Sequence, residues 1–279
     1  MKTNIVSIVS LFLITLYGCS DTTGPTVYKR EVVVNALIYS GQTVDTVKVQ
    51  WTGDVSKFYD PAQYAIPGAV VKISGIGFAF EDSLVYDPSN PGRYYSTDPT
   101  KIIEATKSYR LYIQTPDGLV ITGETTVPDT FRITASTLSA GDTVTYDPFA
   151  PLHMFEWSPS RFHGTYLPTI ESLDSNAALI PKFFERDTIN NPKPQKIGYR
   201  IGLPKEQTNT ILPWVFLTYF GTTAIDIYAI DENYNDFLSQ LIPAQGGELS
   251  EIRYRLNGGI GVFGSATKAK GGFTIYLKP

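Results

Sequence analysis

Residues 109–122 read Tyr-Arg-Leu-Tyr-Ile-Gln-Thr-Pro-Asp-Gly-Leu-Val-Ile-Thr, and this stretch has both signatures of a β-hairpin. Tyr109, Leu111 and Ile113 alternate with polar neighbours, which is the period-two pattern of a strand with one buried face. The Pro-Asp-Gly run that follows is typical of a tight turn, because proline fixes φ, aspartate bonds its own backbone and glycine accepts a positive φ. We therefore expect two antiparallel strands here.

The same pattern recurs along most of the chain outside this hairpin. Short apolar or alternating segments, bounded by glycine, proline and aspartate, occur for example at 32–38, 68–74, 224–230 and 272–278. Tyrosine and phenylalanine are abundant and methionine is scarce. Aromatic and β-branched segments with close turn signals are typical of many short strands, so the sequence predicts an all-β fold.

The segments divide into two groups, which we interpret as two tandem β-sandwiches. The first, 27–128, has the succession of strands of an immunoglobulin-like or transthyretin-like sandwich. The second, 129–279, resembles a fibronectin type III-like sandwich, because Phe155 and Trp157 alternate as on an inward-facing aromatic strand. It contains a long unpatterned loop at about 173–195. Strand order stays open at this point.

One helix is predicted inside the second sandwich, over residues 232–241. Asp231 precedes it and can cap its free N–H groups. Four apolar residues share one face at the spacing that packs a helix on a sheet; they are Tyr234, Phe237, Leu238 and Leu241.

The first residues have the pattern of an exported lipoprotein. Residues 1–18 combine Lys2 with an apolar stretch that is shorter than the roughly 20 residues a membrane span requires, which is typical of a cleavable signal peptide. Leu16-Tyr17-Gly18-Cys19 resembles the lipobox of bacterial lipoproteins, in which fatty acyl chains are attached to the cysteine and the chain is cleaved before it. We expect lipidation at Cys19 and a polar tether over 19–26.

The residue after the cysteine indicates where the protein goes. Ser20 at that position resembles lipoproteins released to the outer membrane, so we expect a lipid-anchored protein of the outer membrane at the cell surface. Cys19 is the only cysteine of the chain, so no disulfide forms and stability must come from core burial. The net charge of −4, without a Lys/Arg cluster, excludes nucleic acid as an expected partner.

A glycine-rich stretch near the end spells a dinucleotide fingerprint, G-x-G-x-x-G, without its context. A strand follows it instead of a helix, and the chain ends before the required acidic residue, so we expect no cofactor. Two interpretations remain. The stretch is either a candidate binding loop or a segment whose missing side chains let its backbone pack close to a neighbouring strand; it comprises Gly258, Gly259, Gly261, Phe263 and Gly264.

No constellation of catalytic or metal-binding residues stands out. Asp231, Asn233 and Asn235 match the first oxygen positions of a calcium-binding EF-hand loop, but the glycine and glutamate that the loop requires are missing. His153 and His163 lack zinc-type spacing, and no Gly-x-Ser-x-Gly elbow is present. We expect no metal and no enzyme activity, with a hydrolase as the third functional alternative.

Five Asp-Ser/Thr steps resemble the acceptor motif for O-glycans in Bacteroidota. Turn chemistry explains the same pattern equally well, because an aspartate closes a turn and the next residue begins a strand. The candidate acceptor residues are Thr22, Thr46, Ser83, Thr143 and Thr188.

Four segments, at 31–37, 67–71, 231–238 and 257–264, resemble a family of Bacteroidota outer-membrane lipoproteins of unknown function that are encoded near TonB-dependent receptors. The resemblance implies a pair of β-sandwiches and association with such a receptor, and it brings no catalytic residues. We therefore expect a non-catalytic accessory or ligand-binding subunit of a TonB-dependent uptake system. The alternative is a structural or adhesive envelope protein. Flat aromatic faces would favour this alternative, whereas a concave pocket would favour ligand binding.

Overall fold

The computed structural model describes residues 30–54, 58–147, 149, 152–174, 178–180, 198–200, 203–212, 217, 219–241 and 255–279. Several predictions fall outside these residues. They are the signal peptide, the tether at 19–26, the lipidation site Cys19, the candidate acceptors Thr22 and Thr188, and most of the loop at 173–195.

The regular secondary structure of the described residues is almost entirely β-strand. The strands are β1 (Val32–Tyr39), β2 (Val47–Trp51), β3 (Val70–Gly75), β4 (Glu81–Tyr86), β5 (Arg93–Tyr95), β6 (Ser108–Gln114), β7 (Val120–Thr126), β8 (Ile133–Ser136), β9 (Thr143–Thr145), β10 (His153–Trp157), β11 (Thr165–Ser172), β12 (Gly198–Arg200), β13 (Asn209–Leu212), β14 (Gly221–Ile230), β15 (Leu256–Asn257), β16 (Ile260–Lys268) and β17 (Phe273–Lys278). Two helices accompany them, α1 (Pro61–Tyr64) and α2 (Glu232–Leu241).

The first core lies between two runs of paired strands. One run is β16-β1-β2-β5, and the path continues into the other, β4-β3-β6-β7-β15. Along each strand alternate residues point inward, so apolar side chains of both runs meet in one cluster. Its fully buried members include Val34, Val49, Ile73, Leu111, Ile121 and Phe263.

The second core lies between a larger sheet and a three-stranded sheet. The larger sheet contains β12, β11 and β14, with β17 pairing to both β14 and β9, and the smaller sheet has the order β13-β10-β8. Large rings fill the space between them, as expected for a sandwich without disulfides. The cluster includes Phe155, Trp157, Tyr166, Ile225, Ile227 and Leu277.

Strand β16 belongs to both sandwiches. Its residues Ile260–Ala266 pair in parallel with Val33–Tyr39 of β1, and its end pairs antiparallel with Tyr228–Ile230 of β14. The chain therefore returns from the second core to complete the first. The division into two domains at residue 128 stays a prediction. The pairing of β16, which follows residue 128 in the chain, with β1, which precedes it, shows that the two cores share a strand.

The sequence predictions for fold class and local structure agree with this arrangement. The all-β class with sandwich cores is confirmed. The hairpin at 109–122 is present as β6 and β7, with Gly118 at a φ of 89°. Helix α2 has the predicted bounds, and the final strand pairs within the second sandwich as expected.

Candidate functional site

A cleft of about 830 Å³ opens where the two sandwiches meet. Turns and strand ends of the first sandwich form one wall, and the loop after β10 together with the start of α2 forms the other. We call it the junction cleft. Its lining residues are Ile76, Ser108, Glu124, Thr125, Thr126, Ser160, Arg161, Phe162, His163, Lys205, Asp231, Glu232, Asn233 and Arg255.

Asp231 holds the base of the junction cleft together. Its side chain is only 3% exposed. One carboxylate oxygen accepts a 2.6 Å hydrogen bond from the Thr125 hydroxyl of β7, and the other accepts a 3.0 Å bond from the Tyr234 backbone N–H, which caps α2 as predicted. Thr125 also shares a 2.7 Å hydrogen bond with the hydroxyl of Ser265 in β16. Three elements thus meet at one carboxylate.

Burial shifts the pKa of this carboxylate. Desolvation raises the pKa of Asp231 to about 6, although the Thr125 hydroxyl and the backbone N–H groups of Tyr234, Ser265 and Asn233 act in the opposite direction. The ionised carboxylate loses more solvation energy on burial than the neutral carboxylic acid does, and this difference raises the pKa. The base of the cleft therefore carries a carboxyl group with a pKa of about 6.

Asn233 and Thr267 add further contacts across the same junction. The Asn233 amide donates to the backbone carbonyl of Phe263 at 2.9 Å and to that of Glu124 at 2.5 Å. The Thr267 hydroxyl donates at 2.6 Å to the carbonyl of Pro128. These bonds position the start of α2 and β16 against the end of β7, so the cleft has a fixed floor.

Phe162 stands out in the loop after β10. It is one of two described non-glycine residues with a positive φ, at 60°, and its side chain is 53% exposed. A bulky residue in the left-handed region is strained, and such strain persists only where the surroundings enforce it. The structure therefore holds an apolar ring in solvent at a backbone cost, which is typical of a ligand contact.

Both neighbours of Phe162 have contacts that fix their positions. Arg161 pairs with Asp129, with 2.7 Å between Nε and Oδ2, and its guanidinium carbon lies 5.8 Å from the Phe162 ring centroid. On the other side the His163 ring is buried, 4.4 Å from the ring of Tyr166, and its Nε2 lies 2.8 Å from the carbonyl oxygen of Lys205. Both flanks of Phe162 are thus anchored.

Charged side chains of both signs surround the cleft mouth. Lys205 pairs with Glu232, Arg255 pairs with Asp236, and Glu124 pairs with Arg110 at 2.7 Å. All six side chains are at least a third exposed, so these pairs contribute little to stability. Instead, these charged groups can release their partners and bind a charged ligand at the cleft mouth.

The glycine-rich stretch is only partly accessible, because Gly258 is exposed whereas most of the stretch is buried, and its role as a binding loop stays a prediction. Gly261, Phe263 and Gly264 are buried in β16, and Gly258 and Gly259 lie just before it. A Cβ atom at Gly261 would lie 1.9 Å from the Val34 carbonyl oxygen, and one at Gly264 would lie 2.8 Å from Tyr234 Cβ. The glycines are needed because neighbouring backbone and helix approach so closely, which was the other interpretation.

The described candidate glycan acceptors lie in different surroundings. Ser83 and Thr143 are exposed, whereas Thr46 is half-buried and its hydroxyl accepts a 3.2 Å hydrogen bond from Arg93 Nε. Asp142 accepts a 2.7 Å bond from the Ser139 N–H, as a turn-closing aspartate does. Turn chemistry therefore operates at Thr143, and O-glycosylation stays a prediction.

The calcium and zinc alternatives find no support in the described geometry. Asp231, Asn233 and His163 are engaged in the hydrogen bonds given above. Among the residues that the structure describes, no three His, Cys, Asp or Glu side chains are grouped to hold a metal ion. The same portion of the chain has no helix of the length and apolarity needed to cross a membrane.

Sequence reasoning identified Asp231 as a helix cap but missed the junction cleft. Arg161 and Phe162 lie in the sequence Ser-Arg-Phe-His, which matches no motif. Nothing in the sequence indicates that this phenylalanine adopts a positive φ. The pairing of β7 with the start of α2 joins residues more than 100 positions apart. Only the folded chain brings these residues to one site.

These features define the chain as an all-β protein with two sandwich cores that share a strand and enclose a cleft. It belongs to the family described as "Domain of unknown function (DUF4249)", whose model matches residues 22–271. No curated protein matches the chain.

Two solved structures show a distant similarity. One is the two fibronectin type-III domain segment from chicken tenascin, at 11% identity, covering 72% of this chain and 90% of that chain with a TM-score of 0.21. The other comprises the FN1-FN3 domains of chicken CNTN1, at 14% identity, covering 71% and 60% with a TM-score of 0.24. The fold class rests on the strand pairing described above.

Proposed function

We propose that this protein is a surface-exposed outer-membrane lipoprotein that acts as a non-catalytic ligand-binding or accessory subunit of a TonB-dependent uptake system. The lipobox at Leu16–Cys19 supports the anchor, and the resemblance to lipoproteins encoded near such receptors supports the partnership. The junction cleft is the proposed binding site.

The observation that carries the binding role is the strained, half-exposed Phe162 on the cleft wall. Its ring offers an apolar face, and the mouth beside it offers charges of both signs. A few convergent polar groups beside an apolar contact surface are the usual makeup of a binding site. This combination fits a ligand with a flat apolar group and charged substituents, such as an exposed loop of a partner protein.

Two titratable groups of the cleft, Asp231 and His163, support a non-catalytic role because the fold already engages them. Asp231 is engaged by Thr125 and by the α2 backbone, and His163 Nε2 lies within hydrogen-bond distance of the Lys205 carbonyl. A general base must reach the proton that it removes, and these groups are already committed to holding the fold. The concave shape of the site also favours binding over the adhesive or spacer alternative.

Affinity capture tests the proposal. The protein carries a tag after Pro279 and is purified from detergent-solubilised outer membranes of its native host, and co-purified proteins are identified by mass spectrometry. We expect a TonB-dependent transporter with the wild type and with an Ile102→Ser control, whose 39% exposed side chain lies outside the cleft lining. We expect reduced recovery with Phe162→Ser. A wild-type preparation without any transporter would overturn the partnership.

A further inference from the structure

An exposed apolar surface covers the end of the first sandwich at which the described chain begins. The side chain of Phe58 is 93% exposed, Tyr59 is 48% exposed, and Val70, Leu119 and Val120 are each between 44% and 46% exposed. We call these five residues the apolar tip. Monomeric proteins rarely leave several large apolar side chains exposed together without a binding role.

Strand register shows that these residues belong to one end of the sandwich. Val70 pairs with Gln114, and Gln114 pairs with Val120, so three adjacent strands place Val70 and Val120 in one row beside the 115–119 turn. Tyr59 donates a 3.2 Å hydrogen bond to Gln50, near the end of β2. The two parts of the tip therefore flank the same sheet ends.

Arg30 links both parts of the tip to the incoming chain. Its guanidinium carbon lies 4.1 Å from the centre of the Trp51 ring, next to the segment that leads to Phe58. Its Nη2 lies 3.6 Å from Asp117 Oδ2, in the turn before Leu119. The chain thus enters the first sandwich between the two halves of the apolar surface.

The proposed lipid anchor is connected to this end of the sandwich by a short segment. Arg30 follows Cys19 by 11 residues, a segment that reaches at most about 40 Å when fully extended and spans about 18 Å on average when flexible. β1 runs 8 residues away from this end, so the opposite end of the sandwich lies about 26 Å from the point where the chain enters. The chain therefore passes from the anchor into the sandwich at the end that carries the apolar tip.

We propose that the apolar tip docks on the lipid surface, with Phe58 and Tyr59 in the headgroup region. This inference rests on the proposed anchor at Cys19 but concerns a different surface from the junction cleft. Aromatic side chains favour the membrane interface, where an apolar ring and a polar hydroxyl are both accommodated. Arg30 lies beside them, with its guanidinium over the Trp51 ring and paired with Asp117.

Site-directed labelling tests this orientation. The Cys19 thiol is consumed by acylation and no other cysteine exists, so an introduced cysteine is the only free thiol in the acylated protein. Phe58→Cys and the control Ile102→Cys, at the far end of the sandwich, receive the same fluorophore. The protein is reconstituted in phosphatidylethanolamine and phosphatidylglycerol vesicles that contain nitroxide-labelled lipid.

We expect the label at position 58 to be quenched by the nitroxide lipid and shielded from aqueous iodide, and the label at position 102 to show the reverse. Equal behaviour of the two labels would overturn the proposal. Phe58 is almost fully exposed, so its replacement leaves the fold intact.

A second arm separates tip docking from acylation. Residues 19–279 carrying Cys19→Ala, which cannot be acylated, are sedimented with the same vesicles. We expect weak binding that falls severalfold with Phe58→Ser and Tyr59→Ser together and is unchanged by Ile102→Ser. No effect of the double substitution would overturn the docking proposal, whereas an intact mass without acyl chains on the wild type would contradict only the anchor.

Discussion

The hydroxyl of Thr125 donates a 2.6 Å hydrogen bond to the carboxylate of Asp231, which lies 106 residues further along the chain. This bond joins the end of β7 in the first sandwich to the start of α2, which follows the central strand of the second. Ser265 of β16 completes the group by sharing a hydrogen bond with Thr125. A single buried polar cluster thus fixes the two walls of the junction cleft relative to each other.

Replacing Thr125 by valine tests the contribution of this bond. The shape is kept, but a buried carboxylate loses its hydroxyl donor, and an unsatisfied buried polar group costs about 1–3 kcal/mol. We expect the free energy of unfolding in urea to fall by that amount. Thr122→Val, on the other face of β7, is the matched control and should have little effect. Equal effects of the two substitutions would argue against a specific role for the bond.

The raised pKa of Asp231 predicts a pH dependence of stability. The folded chain keeps the proton up to about pH 6, whereas the unfolded chain loses it near pH 4, so between these values the folded state binds more protons. Stability from this group is therefore present at low pH and lost as the pH rises to about 6, by about 3 kcal/mol at most. Urea unfolding from pH 4 to pH 7 measures it.

Asp231→Asn should remove this component, so the difference in unfolding free energy between wild type and variant changes across that window. Asp98→Asn is the control of opposite sign. The Thr100 hydroxyl and N–H lower the pKa of Asp98, so its contribution is lost as the pH falls. A wild-type-to-Asp231→Asn difference that stays constant with pH would contradict the assignment.

Gly261→Ala tests the close approach of β16 to β1. The new Cβ would lie 1.9 Å from the Val34 carbonyl oxygen, and the φ of 110° is unfavourable for alanine. Overpacking and backbone strain together should destabilise the protein by about 3 kcal/mol or more. Gly118 also has a positive φ, but a Cβ there would have no atom within 4 Å. Gly118→Ala should therefore lower the free energy of unfolding by only about 1 kcal/mol. Comparable losses in thermal unfolding would show that the close approach is unimportant.

Phe162→Gly separates stability from binding. Glycine accepts the φ of 60° without strain, so we expect the melting temperature to stay the same or to rise slightly. Recovery of the transporter in affinity capture should nevertheless fall, because the exposed ring is gone. A large loss of stability would instead identify Phe162 as a packing residue.

The predictable part of this fold is its local part. The 109–122 hairpin and helix α2 follow from turn chemistry, periodicity and the Asp231 cap, which act between residues close in the chain. The parallel pairing of β16 with β1 was not predictable, because it joins residues more than 200 positions apart and several apolar segments could have filled that place.

The candidate site was predictable only in part, for the same reason. Asp231 has a local signature as a cap, yet its burial depends on Thr125 and Ser265, which arrive from distant strands. Phe162 has no signature, since its positive φ occurs between residues whose contacts, Arg161 with Asp129 and His163 with Lys205, form only in the folded chain. The apolar tip likewise becomes visible only when strand register places Val70 and Val120 in one row, on either side of Gln114.

The proposed membrane location is tested most directly by Cys19→Ala in the full chain, expressed in the native host and followed by membrane fractionation and intact mass. The wild type should sediment with the outer membrane, with a mass that fits cleavage before Cys19 plus fatty acyl chains. The variant should lack acyl chains, keep its signal peptide uncleaved at this position and leave the outer-membrane fraction. A variant that is processed and bound to the outer membrane like the wild type would contradict the proposed anchor.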